Sequence, residues 1–250
     1  REVVLVSENS TAYGKDSGSS LESLLAGLDV VDGLDWIRVS YLQPAEVRPA
    51  LLEAMLGLER VVPYFDLPFQ HASASVLRRM RRFGDADSFL ALLDRIRAVR
   101  PDAGVRSNVI TGFPGETEAD TDELAGFLAA ARMDAVGVFG YSDEEGTEGA
   151  TLPDKVAPEL VEERVDRLAT LVDEVSAQRA ADRLGERTRV LVEAVGGSAT
   201  ASGRSLHQGP ETDGSTTLEA IGNDLVTGTL VWGRVTASDG VDLVVELEGR

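Results

Sequence analysis

The 250-residue sequence contains no cysteine. That excludes disulfides, thiolate nucleophiles, Cys-ligated zinc and iron–sulfur ligation by the chain itself. Histidine is nearly as scarce: His71 and His207 are the two present, too few for a His-rich metal site, and no metal ligand set is expected here. No apolar run approaches the roughly 18 residues that a membrane span needs, so no membrane partner is expected. Positive charge is in short supply, with 24 Lys and Arg against 43 Asp and Glu and a formal charge of −19. That balance argues against nucleic acid as the main partner and suits a soluble protein that meets a basic one. An initiator Met is missing too. The chain opens on Arg1-Glu2-Val3 and enters a strand at once, so we expect no signal peptide and a fragment whose beginning is absent.

What remains is a globular composition, 43% hydrophobic and 27% charged, long enough for one large domain or a large one and a small one. Val3–Val6 and Trp36–Val39 are short β-branched runs, and Tyr64–Leu67, Val105–Ile110 and Ala135–Phe139 follow. They read as buried parallel strands. Between them Leu21, Leu24, Leu25 and Leu28, then Leu51, Leu52, Met55 and Leu56, then Phe89, Leu92, Leu93 and Ile96, then Leu124, Phe127 and Leu128, keep helical spacing. A long amphipathic helix is predicted from about Pro158 to Leu184, with Leu160, Val161, Val165, Leu168, Leu171, Val172 and Val175 inward. Such β–α repeats make a parallel sheet or barrel with right-handed crossovers. About five strands are too few for a usual eight-stranded barrel, which again points to missing N-terminal sequence.

The texture changes near Gly185. Short strands at Arg189–Glu193, Ser215–Leu218, Leu230–Val235 and Leu243–Glu246 are separated by Gly196-Gly197, Asp213-Gly214 and Asp239-Gly240. We expect residues 1–184 to form an α/β unit and 185–250 a small all-β barrel. The second part has ten acids and five bases, a net −5.

Four polar or Gly-bearing segments fall at the same end of consecutive predicted strands: Ser7-Glu8-Asn9-Ser10-Thr11, Asp66-Leu67-Pro68-Phe69-Gln70-His71, Gly112-Phe113-Pro114-Gly115-Glu116-Thr117, and Tyr141 to Thr147. Strand C-terminal ends are where such folds place their sites. Each segment also has a plainer reading. The glycine pair suits an ordinary strand-to-helix turn, with Thr117 and Asp120 as a capping box. Gln70 and His71 suit a local cap, and the acidic run a solvated loop. A phosphate-binding P-loop is a poor fit, since no Gly-Lys-Ser/Thr follows. Arg78-Arg79-Met80-Arg81-Arg82 is the one basic cluster, either an anion contact or the wet face of a helix.

Taken in order, Asp-Leu-Pro-Phe-Gln-His (66–71), Val-Leu-Arg-Arg-Met-Arg-Arg (76–82), Gly-Phe-Pro-Gly-Glu-Thr (112–117) and Tyr-Ser-Asp-Glu-Glu-Gly-Thr (141–147), followed by a small β-barrel, resemble the radical S-adenosylmethionine methylthiotransferases. The resemblance spans nearly the whole chain. It implies an incomplete radical-SAM (β/α) partial barrel (1–184) that lacks its first strand and cysteine loop, then an OB-like TRAM substrate-binding barrel (185–250). Gln70-His71, Arg106-Ser107-Asn108, Glu144 to Thr147, and Gly203-Arg204 with Pro210 to Gly214 resemble the RimO-type branch, which methylthiolates an aspartate β-carbon of small-subunit ribosomal protein twelve. The MiaB-type branch, which modifies a tRNA adenosine, is the alternative; a catalytically inactive ribosome-binding fragment is another. An acidic barrel complements a basic ribosomal protein better than it does tRNA. A generic α/β hydrolase lacks a Gly-x-Ser-x-Gly motif here.

The resemblance further implies S-adenosylmethionine and two 4Fe-4S clusters in the full-length enzyme, with the cluster ligands outside this chain, and a cytoplasmic location. The hard step, hydrogen abstraction from an unactivated carbon, then belongs to the cofactor, and no catalytic residue is expected in this chain. Ser7, Glu8 and Asn9 would hold the methionine amine, Glu8 foremost because a carboxylate pairs with an ammonium. Arg106 and Asn108 would meet the methionyl carboxylate or ribose, and Gly112, Pro114 and Gly115 the adenine. Gln70, His71 and Tyr141 would line the substrate end, and Arg204, Glu211 and Asp213 would contact the ribosomal protein.

Overall fold

The computed structural model describes residues 1–196, 200–219 and 225–248. Five parallel strands come first: β1 (Glu2–Leu5), β2 (Trp36–Val39), β3 (Tyr64–Asp66), β4 (Gly104–Thr111) and β5 (Ala135–Gly140). β1 pairs with β2, and β3, β4 and β5 form a second ladder. A single bridge, Ile37 to Val61, joins the two, so the strands run in sequence order. Helices fill every connection: α1 (Leu21–Asp29), α2 (Pro49–Gly57), α3 (Ala74–Arg79), α4 (Ala86–Val99) and α5 (Glu118–Ala131). After β5 come α6 (Glu148–Thr151) and the 25-residue α7 (Pro158–Asp182).

The register sorts the strand residues into two faces, because paired residues share a face and neighbours alternate. Val3, Leu5, Ile37, Val39, Phe65, Val105 and Val109 face the helices and join one hydrophobic core. The inner face is different. It carries Glu2, Arg38, Tyr64, Asp66, Arg106 and Asn108, paired across the sheet as Val4 with Arg38 and Asp66 with Arg106. These polar side chains meet partners from the C-terminal barrel, as Arg38 does at the Leu206 carbonyl and Glu2 at Arg204.

The strands β6 (Arg187–Val195), β7 (Ala201–Ser205), β8 (Thr216–Glu219), β9 (Leu230–Asp239) and β10 (Asp242–Leu247) close a small barrel in the order β10-β8-β7-β6-β9. Val190, Val192, Leu218, Val235, Leu243 and Val245 fill it. The barrel rests on the N-terminal half of the parallel sheet. Leu191, Leu206 and Leu230 pack there with Trp36, Val62 and Tyr64. At Gly104 the approach is so close that a Cβ would lie 2.5 Å from the His207 carbonyl oxygen, so a side chain there would unseat the barrel. Arg183, 1% exposed, rivets the junction: it pairs with Asp134 at 2.5 Å and Glu186 at 3.0 Å.

Three sequence expectations are corrected. Val6 lies beyond β1 and is exposed. Leu160 is exposed rather than inward, because the buried ridge of α7 runs Arg164, Leu168, Val172, Ser176, Ala180, a strict i, i+4 line that starts one turn later. The strand β7 was not expected at all. Of the predicted reversals, Gly197 lies outside the described residues. Among the described residues, no helix is long and apolar enough to cross a membrane.

A candidate cofactor rim

The C-terminal ends of the five strands gather the segments that the sequence singled out. The best-built of them is the turn after β4. Gly112 has φ +81°, and a Cβ there would meet the Val161 side chain at 2.5 Å. Glu116, 6% exposed, folds back under this turn. Its carboxylate accepts hydrogen bonds from Thr111 Oγ1 (2.8 Å), Thr121 Oγ1 (2.9 Å), the Gly112 N–H (2.8 Å) and the Phe113 N–H (3.3 Å). Arg164 of α7 adds an ion pair at 2.9 Å. Burial alone would raise the Glu116 pKa. The nearby His71 ring and hydrogen bonds from Thr111 and Thr121 outweigh it and hold the carboxyl below its ordinary range. Thr117 and Asp120 form the expected capping box at the start of α5. Asp120 also accepts from Ser73 (2.5 Å) and Ser75 (2.8 Å), which ties α3 to the same turn.

His71 is fully buried behind this loop. Its Nδ1 accepts the Ser73 N–H at 2.9 Å, and its Nε2 stands 3.5 Å from Glu116. It braces the rim from within. Gln70, at φ +68°, threads between Asn108 and Ile110: its N–H donates to the Asn108 carbonyl (2.9 Å), and its own carbonyl accepts the Ile110 N–H (2.7 Å). Gly115 donates its N–H to the Asp154 carbonyl (2.7 Å) and accepts Arg79 on its own carbonyl (2.7 Å), beside the buried Pro114. Tyr141 leaves β5 edge-on to Phe113, with ring centroids 5.0 Å apart. Partial burial and its hydrogen bond to Asp143 push its phenol up to about 12.

The basic cluster stitches this rim. Arg79 holds Gly115, Arg81 pairs with Glu148 at 2.5 Å, and Arg82 donates to Gln43 at 2.6 Å. Three strand-end loops are therefore pinned by the end of one short helix. Ser7, Glu8 and Asn9 follow β1 at the neighbouring end. Ser7 shares a 3.1 Å hydroxyl contact with Ser10, Glu8 is exposed, and Asn9 accepts from Thr11. Asn108 projects onto the inner face with a buried Oδ1 that has no hydrogen-bond partner among the described residues.

Three expected site residues lie elsewhere. Arg106 sits two residues deeper than Asn108, between Asp66 and Asp213, each at 3.1 Å. Arg204, 6% exposed, pairs with Glu2 at 2.5 Å and Glu193 at 2.7 Å. Asp213, 4% exposed, accepts from the Tyr64 hydroxyl at 2.6 Å and the Gly209 N–H at 2.9 Å. Their charges are satisfied inside the chain, at the seat of the barrel. Glu211, at φ +70°, is exposed. Sequence reasoning missed Glu2, Arg38, Tyr64 and Arg164, and it held Asp66 and Glu116 within the strand-end segments 66–71 and 112–117 without giving either a role of its own.

Comparison with known proteins agrees with this architecture. The Radical SAM superfamily profile matches residues 1–128. The chain belongs to the radical SAM superfamily. A TRAM domain profile matches residues 184–247, the segment of the closed barrel. The chain is 57% identical over 252 residues to the ribosomal protein uS12 methylthiotransferase RimO of Kineococcus radiotolerans, covering 98% of this chain and 52% of that protein. It is 58% identical over 246 residues to the protein of the same name from Cutibacterium acnes, covering 98% and 50%. It therefore spans about half the length of these relatives. Coproporphyrinogen III oxidase from Escherichia coli, a radical SAM enzyme of known structure, overlaps 56% of this chain and 32% of its own at 17% identity, with a TM-score of 0.48.

Proposed function

We propose that this chain is the C-terminal half of a ribosomal protein methylthiotransferase, which exchanges a hydrogen on an aspartate β-carbon of small-subunit ribosomal protein uS12 for a methylthio group. The observation that carries the reading is the rim: Glu116 and the arginines of residues 79–82 brace the strand-end turns at 112–117 and after Gly140, the Ser7–Thr11 segment follows β1, and the inner face offers at Asn108 an acceptor without a partner among the described residues. The relatives named for that activity match on both sides of the barrel seat.

The rim fits S-adenosylmethionine. Glu8 is exposed at the end of β1 and makes no ion pair among the described residues, so its carboxylate is available to an ammonium. Asn108 offers its Oδ1 to a hydroxyl or amine. The Gly112–Gly115 backbone, with Pro114 buried behind it, gives a smooth wall for a base. Ser7 and Asn9 flank Glu8, and Gln70 and Tyr141 border the mouth on the substrate side. His71, Arg106, Arg204 and Asp213 act by holding these parts in register.

The two 4Fe-4S clusters do not fit this chain: it has no cysteine, and its described residues bring together no group of three or more metal-ligating side chains. In our reading their ligands belong to sequence outside these 250 residues. When bound, S-adenosylmethionine and the clusters supply the radical and sulfur chemistry. The present residues orient the cofactor, exclude water and position the substrate. We further assign residues 1–184 to the cofactor-binding core and 185–250 to substrate capture, in a cytoplasmic enzyme. On the barrel, Glu211, Glu219, Asp239, Asp242 and Glu246 are exposed while Arg204 is buried. The free surface is thus acidic, which suits a basic ribosomal protein. Replacing Glu8 with Ala in the full-length enzyme is expected to weaken S-adenosylmethionine binding about tenfold by calorimetric titration; unchanged affinity would remove Glu8 from the site.

A further inference from the structure

The barrel and the rim are joined by an unbroken polar chain. It begins in the barrel segment Gly209 to Asp213. Asp213 Oδ2 accepts from the Gly209 N–H and the Tyr64 hydroxyl, and Asp213 Oδ1 faces Arg106 Nε at 3.1 Å. Arg106 Nη1 donates to Asp66 Oδ1 at 3.1 Å. The other oxygen of Asp66 accepts the Tyr41 N–H at 3.0 Å. Tyr41 stands at φ +57°, a conformation that a bulky residue rarely adopts unless something holds it. Its carbonyl accepts the Ser10 N–H at 3.0 Å, and the Ser10 hydroxyl donates to the Ser40 carbonyl at 2.6 Å. Ser10 closes the loop that carries Ser7, Glu8 and Asn9. Asp66 and Asp213 are 3% and 4% exposed, so water is a poor substitute for either link.

We propose that Asp213, Arg106 and Asp66 are positioning residues through which the seated barrel sets the conformation of Tyr41 and of the Ser7–Ser10 loop. The role of that loop as a cofactor contact rests on the function proposed above; the mechanical link does not. Removing the Asp213 charge leaves Arg106 with one anionic partner instead of two. The guanidinium then shifts toward Asp66 and competes with the Tyr41 N–H for that carboxylate. Tyr41 loses the contact that stabilises its left-handed backbone, and the Ser10 amide loses its acceptor.

The test is backbone amide exchange by NMR on the 250-residue chain, wild type against Asp213→Asn. The link predicts exchange at Tyr41 and Ser10 faster by about tenfold, with the core helix α4 unchanged at Ile96. A role confined to packing would speed exchange at the seat, at Gly104 and Val62, and stop there. Unchanged exchange at Tyr41 and Ser10 would overturn the proposal. Should Asp213→Asn fail to fold, Arg106→Lys keeps the charge but cannot span both carboxylates, and the same two amides report. A parallel titration of S-adenosylmethionine into the full-length enzyme separates the two ideas. Faster exchange without any cofactor binding by the wild type would reject the cofactor reading and keep the link. Normal binding with unchanged exchange would do the reverse.

Discussion

At the scale of single residues, the rim depends on groups whose polar contacts lie within the chain. Glu116 spends its carboxylate on a turn, a helix start and a neighbouring helix at once. Its folded pKa lies below the unfolded value, so its contribution to stability is fully present above the ordinary Glu range, near pH ~4.3, and is lost as pH falls through the folded pKa. Glu116→Gln should lower the urea midpoint at pH 7 and flatten its fall between about pH 5 and 3. An equally steep acid limb in the variant would show that other carboxylates set it. At Gly112 both the left-handed φ and Val161 oppose a side chain. Gly112→Ala should therefore cost about 1–3 kcal/mol by chemical denaturation. The capping box at Thr117 was legible in the sequence because its partners are three residues apart. The pairs Arg106–Asp66 and Arg204–Glu2 were not, because they bridge 40 and 202 positions. Arg106 reads as a ligand contact when its two carboxylates are out of sight.

At the scale of elements, the strands β1 to β5 were readable from the apolar residues that they turn to the helices, such as Val3, Leu5, Ile37, Val39, Phe65, Val105 and Val109, although only β2 and β3 are buried throughout. The strand β7, Ala-Ser-Gly-Arg-Ser, carries almost no apolar signal. It is a strand because β6 and β8 need a partner on each side to close the barrel. Helix α7 was placed where expected, with Leu168 and Val172 buried, but Leu160 is exposed and the buried ridge includes a charge. Arg164 is buried only because Glu116 and Glu118 receive it. Arg164→Met should destabilise the chain by about 3–5 kcal/mol, since it strands a buried carboxylate. Restoring much of that stability by adding Glu116→Gln would confirm that the pair acts as a unit; additive losses would argue that Arg164 acts alone.

At the scale of the whole molecule, the function proposed above asks the strand-end rim to hold a small cofactor and the acidic barrel, seated on the parallel sheet, to draw in a cationic polypeptide. A charge of −19 favours such a partner through a long-range field that salt screens within roughly 8 Å at physiological strength. Binding of the isolated ribosomal protein should therefore weaken steeply as salt rises, and a flat salt profile would point to an apolar interface instead. The most direct measurement is the mass of ribosomal protein uS12 from cells in which the gene has been deleted and then restored in full length. Loss of a methylthio group on deletion, regained on restoration with tRNA unaltered throughout, is the predicted result; an unchanged ribosomal protein alongside altered tRNA would contradict it.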